Sequence, residues 1–303
     1  MKESTIRLPG ERTIEVAEAG DPTGRPVFVL HGTPGARGFY TPHVADAQKL
    51  GIRLISYSRP GCGGSTPCPG RRLVDAAADV KAIADDLGLD QFALWGHSGG
   101  AGPALACASA LRPRLVAVAS LAGMAPYPAE GIDYFAGMGE YNAEDLRLLF
   151  KDPGGWERKN REDAAVLSGG TQGEIDTMLG SLFSDVDKAV FNHLATPKER
   201  GAAFQELGEY IMGQFQESFR LGPEGMIEDS LALTRSWGFD LGSLSGPLQL
   251  WYGKADRAVP FSHGQWLVQH IPQAEAHLEK EEGHVTLLVR KIPEVHRWLL
   301  SKF

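Results

Sequence analysis

Cysteine is scarce in this chain, with three among 303 residues: Cys62, Cys68 and Cys107. They cannot all pair and they match no zinc-ligand spacing, so neither a disulfide framework nor a cysteine metal centre is expected, and a reducing compartment fits. Long apolar runs are missing too, which excludes a membrane-spanning helix. The opening Met1-Lys2-Glu3-Ser4-Thr5 has no signal-peptide apolar stretch. The expectation is a soluble cytoplasmic protein. Basic charge is in deficit: 30 Lys and Arg against 38 Asp and Glu give a net charge of −8. No run of positive charge is available to neutralise phosphates, so nucleic acid is not an expected partner. The nine histidines include no HExxH or paired-ligand spacing, so no metal is implied. Gly61-Cys62-Gly63-Gly64-Ser65 is glycine-rich but lacks the Gly-Lys-Ser/Thr ending of a phosphate loop. No cofactor is implied, a small molecule is the expected partner, and nothing specifies an oligomeric state.

What the chain does have is 43% hydrophobic residues, enough in a chain of this length for a core that needs no cross-links. Thr13 to Ala19 alternates as a half-exposed edge strand would. Val27 to Leu30, Arg53 to Tyr57, Phe92 to Trp95 and Leu115 to Leu121 are short apolar runs, as expected of strands covered on both faces. Between them, Leu73 to Leu87 carries apolar residues at helical spacing. Strands alternating with helices predict a mostly parallel sheet with helices on both faces.

The rhythm breaks after Ala122. Residues 125–240 are polar and helix-rich. Asn142 could cap a helix running through Phe150, Ser184 another through Leu194, and Lys198 to Arg220 reads as a longer amphipathic helix. The rhythm returns with a strand at Pro247 to Tyr252, a helix at Phe261 to His270, a weaker strand at Ala274 to Glu279 and a closing helix at Val285 to Leu300. The expected organisation is a core in two parts, 1–124 and 241–303, with a helical cap at 125–240 inserted between them and lying over the site.

Gly96-His97-Ser98-Gly99-Gly100 joins a strand pattern to a helix pattern. A serine on such a sharp turn projects its hydroxyl from the end of the sheet, beside the amide that follows and a helix N-terminus. A nucleophilic serine needs a base and an acid to orient that base. His284, in the loop before the closing helix, is the base candidate. His263 and His270 read as helix or packing residues, and His97 is expected to pack beneath the turn. Asp256, in Gly253-Lys254-Ala255-Asp256, is the acid candidate, with Asp240, Asp229 and Glu228 as alternatives. The order Ser98, Asp256, His284 suits a strand–elbow arrangement. For an oxyanion hole, the amide of Gly99 is one donor. The amide of Thr33, in His31-Gly32-Thr33-Pro34-Gly35, is the other, because Pro34 has none.

These segments, with Tyr57-Ser58-Arg59-Pro60-Gly61-Cys62-Gly63-Gly64-Ser65, resemble the α/β-hydrolase superfamily, especially its proline-iminopeptidase-like and bacterial esterase-like serine hydrolases. The resemblance implies an α/β fold with an eight-stranded, mostly parallel sheet, a Ser/His/Asp triad and a helical cap. It departs from the iminopeptidase pattern where Thr33 replaces a glycine, where Ser58 replaces an aspartate and where Gly99 replaces a tryptophan.

The leading functional expectation is therefore a carboxylesterase-like serine hydrolase working through an acyl-enzyme on a small ester. An aminopeptidase is the alternative. It would need carboxylates near the serine to bind an ammonium, with Glu144, Asp145, Glu228 and Asp229 on offer. Carbon–carbon bond hydrolysis and cofactor-free haloperoxidase chemistry suit the same residues, and a non-catalytic ligand-binding relative remains open. The aromatics Tyr134, Phe135, Tyr141 and Trp237 could line the site or serve as core.

Overall fold

The computed structural model describes residues 1–192 and 197–303, less the side chains of a few residues, mainly those of 191–205. Eight strands form one sheet: β1 Lys2–Arg7, β2 Thr13–Gly20, β3 Arg25–Leu30, β4 Ile52–Tyr57, β5 Phe92–His97, β6 Leu115–Leu121, β7 Leu248–Gly253 and β8 Glu275–Glu279. Their order is β1-β2-β4-β3-β5-β6-β7-β8. β2 runs antiparallel to both of its neighbours, and every other pair is parallel. The helices in chain order are α1 Thr41–Leu50, α2 Ala76–Asp86, α3 Ala101–Ala110, α4 Glu140–Lys151, α5 Pro153–Gly169, α6 Gln172–Leu179, α7 Asp185–Asn192, α8 Pro197–Ser218, α9 Glu224–Thr234, α10 Phe261–His270 and α11 His284–Leu300.

The period-two geometry of a strand divides the core in two. Phe28, Leu30, Phe92, Leu94 and Leu250 face the side covered by α2, α3 and α10. Val27, Val29, Ala93, Trp95 and Trp251 face the side covered by α1 and α11. The central strands β3 and β5 therefore bury residues on both faces, which is why they read as unbroken apolar runs. Phe28 and Phe92 meet at 5.0 Å between ring centres, and each buried ring contributes roughly 1.5–3 kcal/mol.

Two expectations are corrected, and one strand is added. β1 was not anticipated, because only Ile6 in it is buried and an exposed strand carries little apolar signal. With β1 alongside, β2 is an interior strand rather than the edge, and its buried Glu18 is matched by Lys2 and Arg53. Asn142 does not cap a helix. Helix α4 begins two residues earlier behind Gly139, and the Asn142 side chain donates to the Ala258 carbonyl. The helix expected after Ser184 is α7, and its expected end at Leu194 lies outside the described residues. The segment between β6 and β7 holds α4 to α9. Among the described residues no helix is long and apolar enough to cross a membrane.

Candidate active site

Ser98 sits directly after β5, in the middle of the sheet, at φ +55°. That left-handed conformation is unfavourable for any residue with a Cβ by about 1–2 kcal/mol, and the flanking glycines explain how the turn stays so tight. A Cβ on Gly96 would run into the Gly100 carbonyl, and one on Gly100 into the Leu30 carbonyl. The elbow is thus wedged against the end of β3. The loop leaving β3 crosses it, with Gly32 facing the Ser98 side chain.

Asp256, in the loop after β7, accepts from the amides of Ala258 and Val259 through one carboxylate oxygen, both at 2.8 Å. Its other oxygen lies 2.8 Å from His284 Nδ1. With Nδ1 donating to the carboxylate, Nε2 carries the lone pair. Burial lowers the basicity of His284, but the charge and hydrogen bond of Asp256, helped by Asp187, outweigh it and raise the pKa above the usual 6.5. His97, the last residue of β5, is buried and its ring centre is 4.7 Å from that of His284. Its Nε2 donates to the His284 carbonyl at 3.0 Å, and burial keeps it neutral. That contact with His284 was not foreseen.

The loop after β3 is held by a buried ionic cluster. Arg59 Nη2 donates to the Gly32 carbonyl at 2.9 Å and to the Thr33 hydroxyl at 2.8 Å, and Nη1 donates to the His31 carbonyl. Asp229, from α9, takes both Arg59 and Arg71. Burial would raise the carboxyl's pKa, but the two guanidiniums hold it far below the usual range. The Gly32–Thr33 peptide is trans, so its N–H points opposite to the carbonyl that Arg59 holds. Among the described residues nothing accepts from the Thr33 amide. A Cβ on Gly99 would run into the Thr33 hydroxyl and lie 2.9 Å from the Thr33 nitrogen. A side chain following Ser98 is therefore excluded, and the Thr33 backbone nitrogen lies beside Gly99.

Ser98, Gly99, Thr33 and His284 all line one cavity of about 300 Å³. Its far wall comes from the segment between β6 and β7, including Leu146, Leu167, Leu179, Phe183, Phe215 and Trp237. Tyr141 lines it as well, whereas Tyr134 packs on His263 and lies outside the lining, as does Phe135. No described lysine or arginine lines the cavity. Its two carboxylates are both occupied: Asp229 by the arginines, and Asp145 by Trp156 Nε1, Asn160 Nδ2 and Lys159 Nζ. Glu228 holds Arg235, and Glu144 points to solvent. Asp240 caps a turn at Gly242. His263 is buried, accepting from the Ala125 amide and donating to the Tyr134 carbonyl. Cys62 is buried with its thiol pushed up to about 11, so it is no nucleophile. Among the described residues no group of three or more ligating side chains could hold a metal ion.

A family model for the alpha/beta hydrolase fold matches residues 25–291. The chain belongs to the α/β-hydrolase family. This α/β hydrolase is 24% identical over 270 residues to a 2-hydroxy-6-oxononadienedioate/2-hydroxy-6-oxononatrienedioate hydrolase of Dechloromonas aromatica, covering 85% of the chain and 80% of that protein. A shorter match, 34% over 100 residues and 30% of each chain, is to a proline iminopeptidase of Neisseria meningitidis. A thermophilic esterase from Thermogutta terrifontis superposes at TM-score 0.68 with 22% identity, covering 100% of this chain and 99% of that one. The expected eight-stranded architecture is thus the observed one.

Sequence reasoning missed the roles of Asp229 and His97 at this site. Arg59 was visible only as part of the Ser58-Arg59-Pro60-Gly61 motif. What makes it matter is the fold, which sets it against the carbonyls of a loop 27 residues earlier in the chain.

Proposed function

We propose that this hydrolase is a serine esterase for small, neutral, apolar esters. Ser98 is the nucleophile, His284 the base and Asp256 the acid that orients it. The observation that carries the reading is the His284–Asp256 hydrogen bond, with His284 and a strained Ser98 lining one mostly apolar cavity. Ser98 Oγ attacks the ester carbonyl while His284 Nε2 takes its proton. The oxyanion forms against the amides of Thr33 and Gly99. His284 then protonates the departing alcohol, and water, activated by the same imidazole, releases the acid from the acyl-enzyme. Helices α4 to α9 act as the cap that selects the substrate, with 125–240 as its bounds.

The cavity wall favours this reading over its rivals. A dioate, as in the name of the Dechloromonas relative, would bring two negative charges to a lining with no described lysine or arginine. Carbon–carbon hydrolysis of a neutral ketone is compatible with the same groups, but the dianion is not. An N-terminal ammonium would need an unpaired carboxylate, and Asp145 and Asp229 are both taken.

Intact-protein mass after fluorophosphonate treatment tests the nucleophile. One adduct on the wild type and none on Ser98→Ala is expected. Hydrolysis of p-nitrophenyl butyrate, with no release from proline naphthylamide, then separates esterase from peptidase. An unlabelled, folded wild type would sink the proposal.

A further inference from the structure

His284 is the first residue of α11. That position is awkward for a base, because the unpaired amides of a helix N-terminus disfavour a positive imidazolium. A single side chain answers this, and it comes from the cap. Asp187 is fully buried in α7. Its Oδ1 accepts from the amides of Val285 at 2.8 Å and Thr286 at 3.0 Å, and its Oδ2 accepts from the amide of His284 at 3.1 Å. Three of the four open amides at that end of α11 thus go to one carboxylate, 97 residues away in sequence. Ser184 secures it from behind, donating its hydroxyl to Oδ2 at 2.7 Å. Gly283 makes the approach possible, because a Cβ there would strike the carboxylate.

We infer that Asp187 is a positioning residue for the base: the cap carries the negative charge that fixes the His284 backbone and compensates the imidazolium formed during attack. This rests on the proposal that His284 is the base. Asp187 does not touch the reacting atoms and acts through His284. Other titratable groups face His284 from each packed element. Asp256 comes from the loop after β7 and His97 from β5. The phenols Tyr40 and Tyr210 pack around the neighbouring Val285. Glu282 turns to Arg290 and Lys291, and Asp185 and Lys188 on α7 are exposed. On α1, His43 and Asp46 engage Leu288 and His296, further along α11. Besides Asp256, Asp187 is the charge that adds to the elevated basicity of His284.

The test follows the His284 ring by NMR through a pH titration, in wild type and Asp187→Asn, with the resonance assigned by its loss in His284→Gln. The midpoint should move down in Asp187→Asn, and the acid limb of kcat/KM for p-nitrophenyl butyrate should move with it. The kcat should fall about 10- to 100-fold while KM stays within about twofold. An unmoved midpoint in the folded variant overturns the inference, whatever happens to the rate. If Asp187→Asn does not fold, amide exchange in the wild type decides. Slow exchange at residues 284–286, faster in Ser184→Ala, is expected, and free exchange there in the wild type overturns the tether. A wild type that takes no fluorophosphonate adduct would defeat the esterase reading alone, since the ring midpoint needs no turnover.

Discussion

The Thr33 hydroxyl donates to the Asp229 carboxylate at 2.7 Å, joining the loop after β3 to helix α9 through the residue whose backbone nitrogen lies beside Gly99. Two buried arginines share that carboxylate. Asp229→Asn would leave Arg59 and Arg71 without their counter-charge, in surroundings where neither guanidinium reaches water. Urea unfolding should report a loss of roughly 3–5 kcal/mol. A loss under about 1 kcal/mol would mean that the cluster is solvated.

Thr33→Val separates the hydroxyl from the amide. The valine keeps the N–H and the shape but loses the bonds to Arg59 and Asp229. Stability should fall by about 1–3 kcal/mol, and kcat by less than about tenfold. A collapse of kcat in a folded Thr33→Val protein would move the oxyanion contact away from the backbone.

Ser98 holds a backbone conformation suited to glycine. Ser98→Ala should remove turnover to background, a loss of roughly 10⁶-fold. Ser98→Gly should be equally inactive but more stable than Ser98→Ala by about 1 kcal/mol. Equal melting temperatures for the two would show that the elbow stores no strain.

The pH profile of kcat/KM should carry its acid limb above 6.5, because Asp256 and Asp187 together overcome burial and raise the His284 pKa. The reaction needs the neutral ring, so activity is present above that midpoint and lost below it. Asp256→Asn should shift the limb down and lower kcat. A limb below 6.5 in the wild type would put another group in the role of base.

Stability should fall as pH drops below 6.5. Burial holds His31 and His43 neutral in the folded protein, each with its pKa lowered to about 3. Their unfolded forms take up protons from 6.5 downward, so the unfolded state gains and the native state does not. His97, His263 and His296 act in the same direction, while His284 opposes them. Between pH 6.5 and 5 the lowered Asp229 and Glu15 carboxyls stay ionised in the folded protein, while the Asp79 carboxyl, raised by burial, opposes the histidines together with His284. A urea midpoint that stays constant from pH 7 to 5 would contradict this.

Which parts could be read in advance follows from where their information lies. Val27 to Leu30 and Phe92 to Trp95 announce buried strands because each residue is apolar for its own contacts. Ser98 and Asp256 follow directly on strands and His284 opens α11 just after the loop leaving β8, so residue type and order placed them as candidates, and the fold then brought His284 to Asp256. Asp187 and Asp229 carry no such local mark. The Ser184-Asp185-Val186-Asp187 spacing reads as an ordinary helix start, which it also is. What it does for α11 depends on a contact across 97 residues that no local pattern records. β1 was hidden for the opposite reason: its pairing is carried by backbone bonds, and its side chains are almost all in water.

Two aspartates from the segment between β6 and β7 reach across to the rest of the fold, Asp187 at the start of α11 and Asp229 at the loop after β3. That segment is therefore not an exchangeable module. A chimera that received a relative's helices without an acid at both places would keep Ser98, Asp256 and His284 and lose both of these attachments. Altering selectivity by grafting would have to preserve these two attachment points and vary only the apolar wall between them.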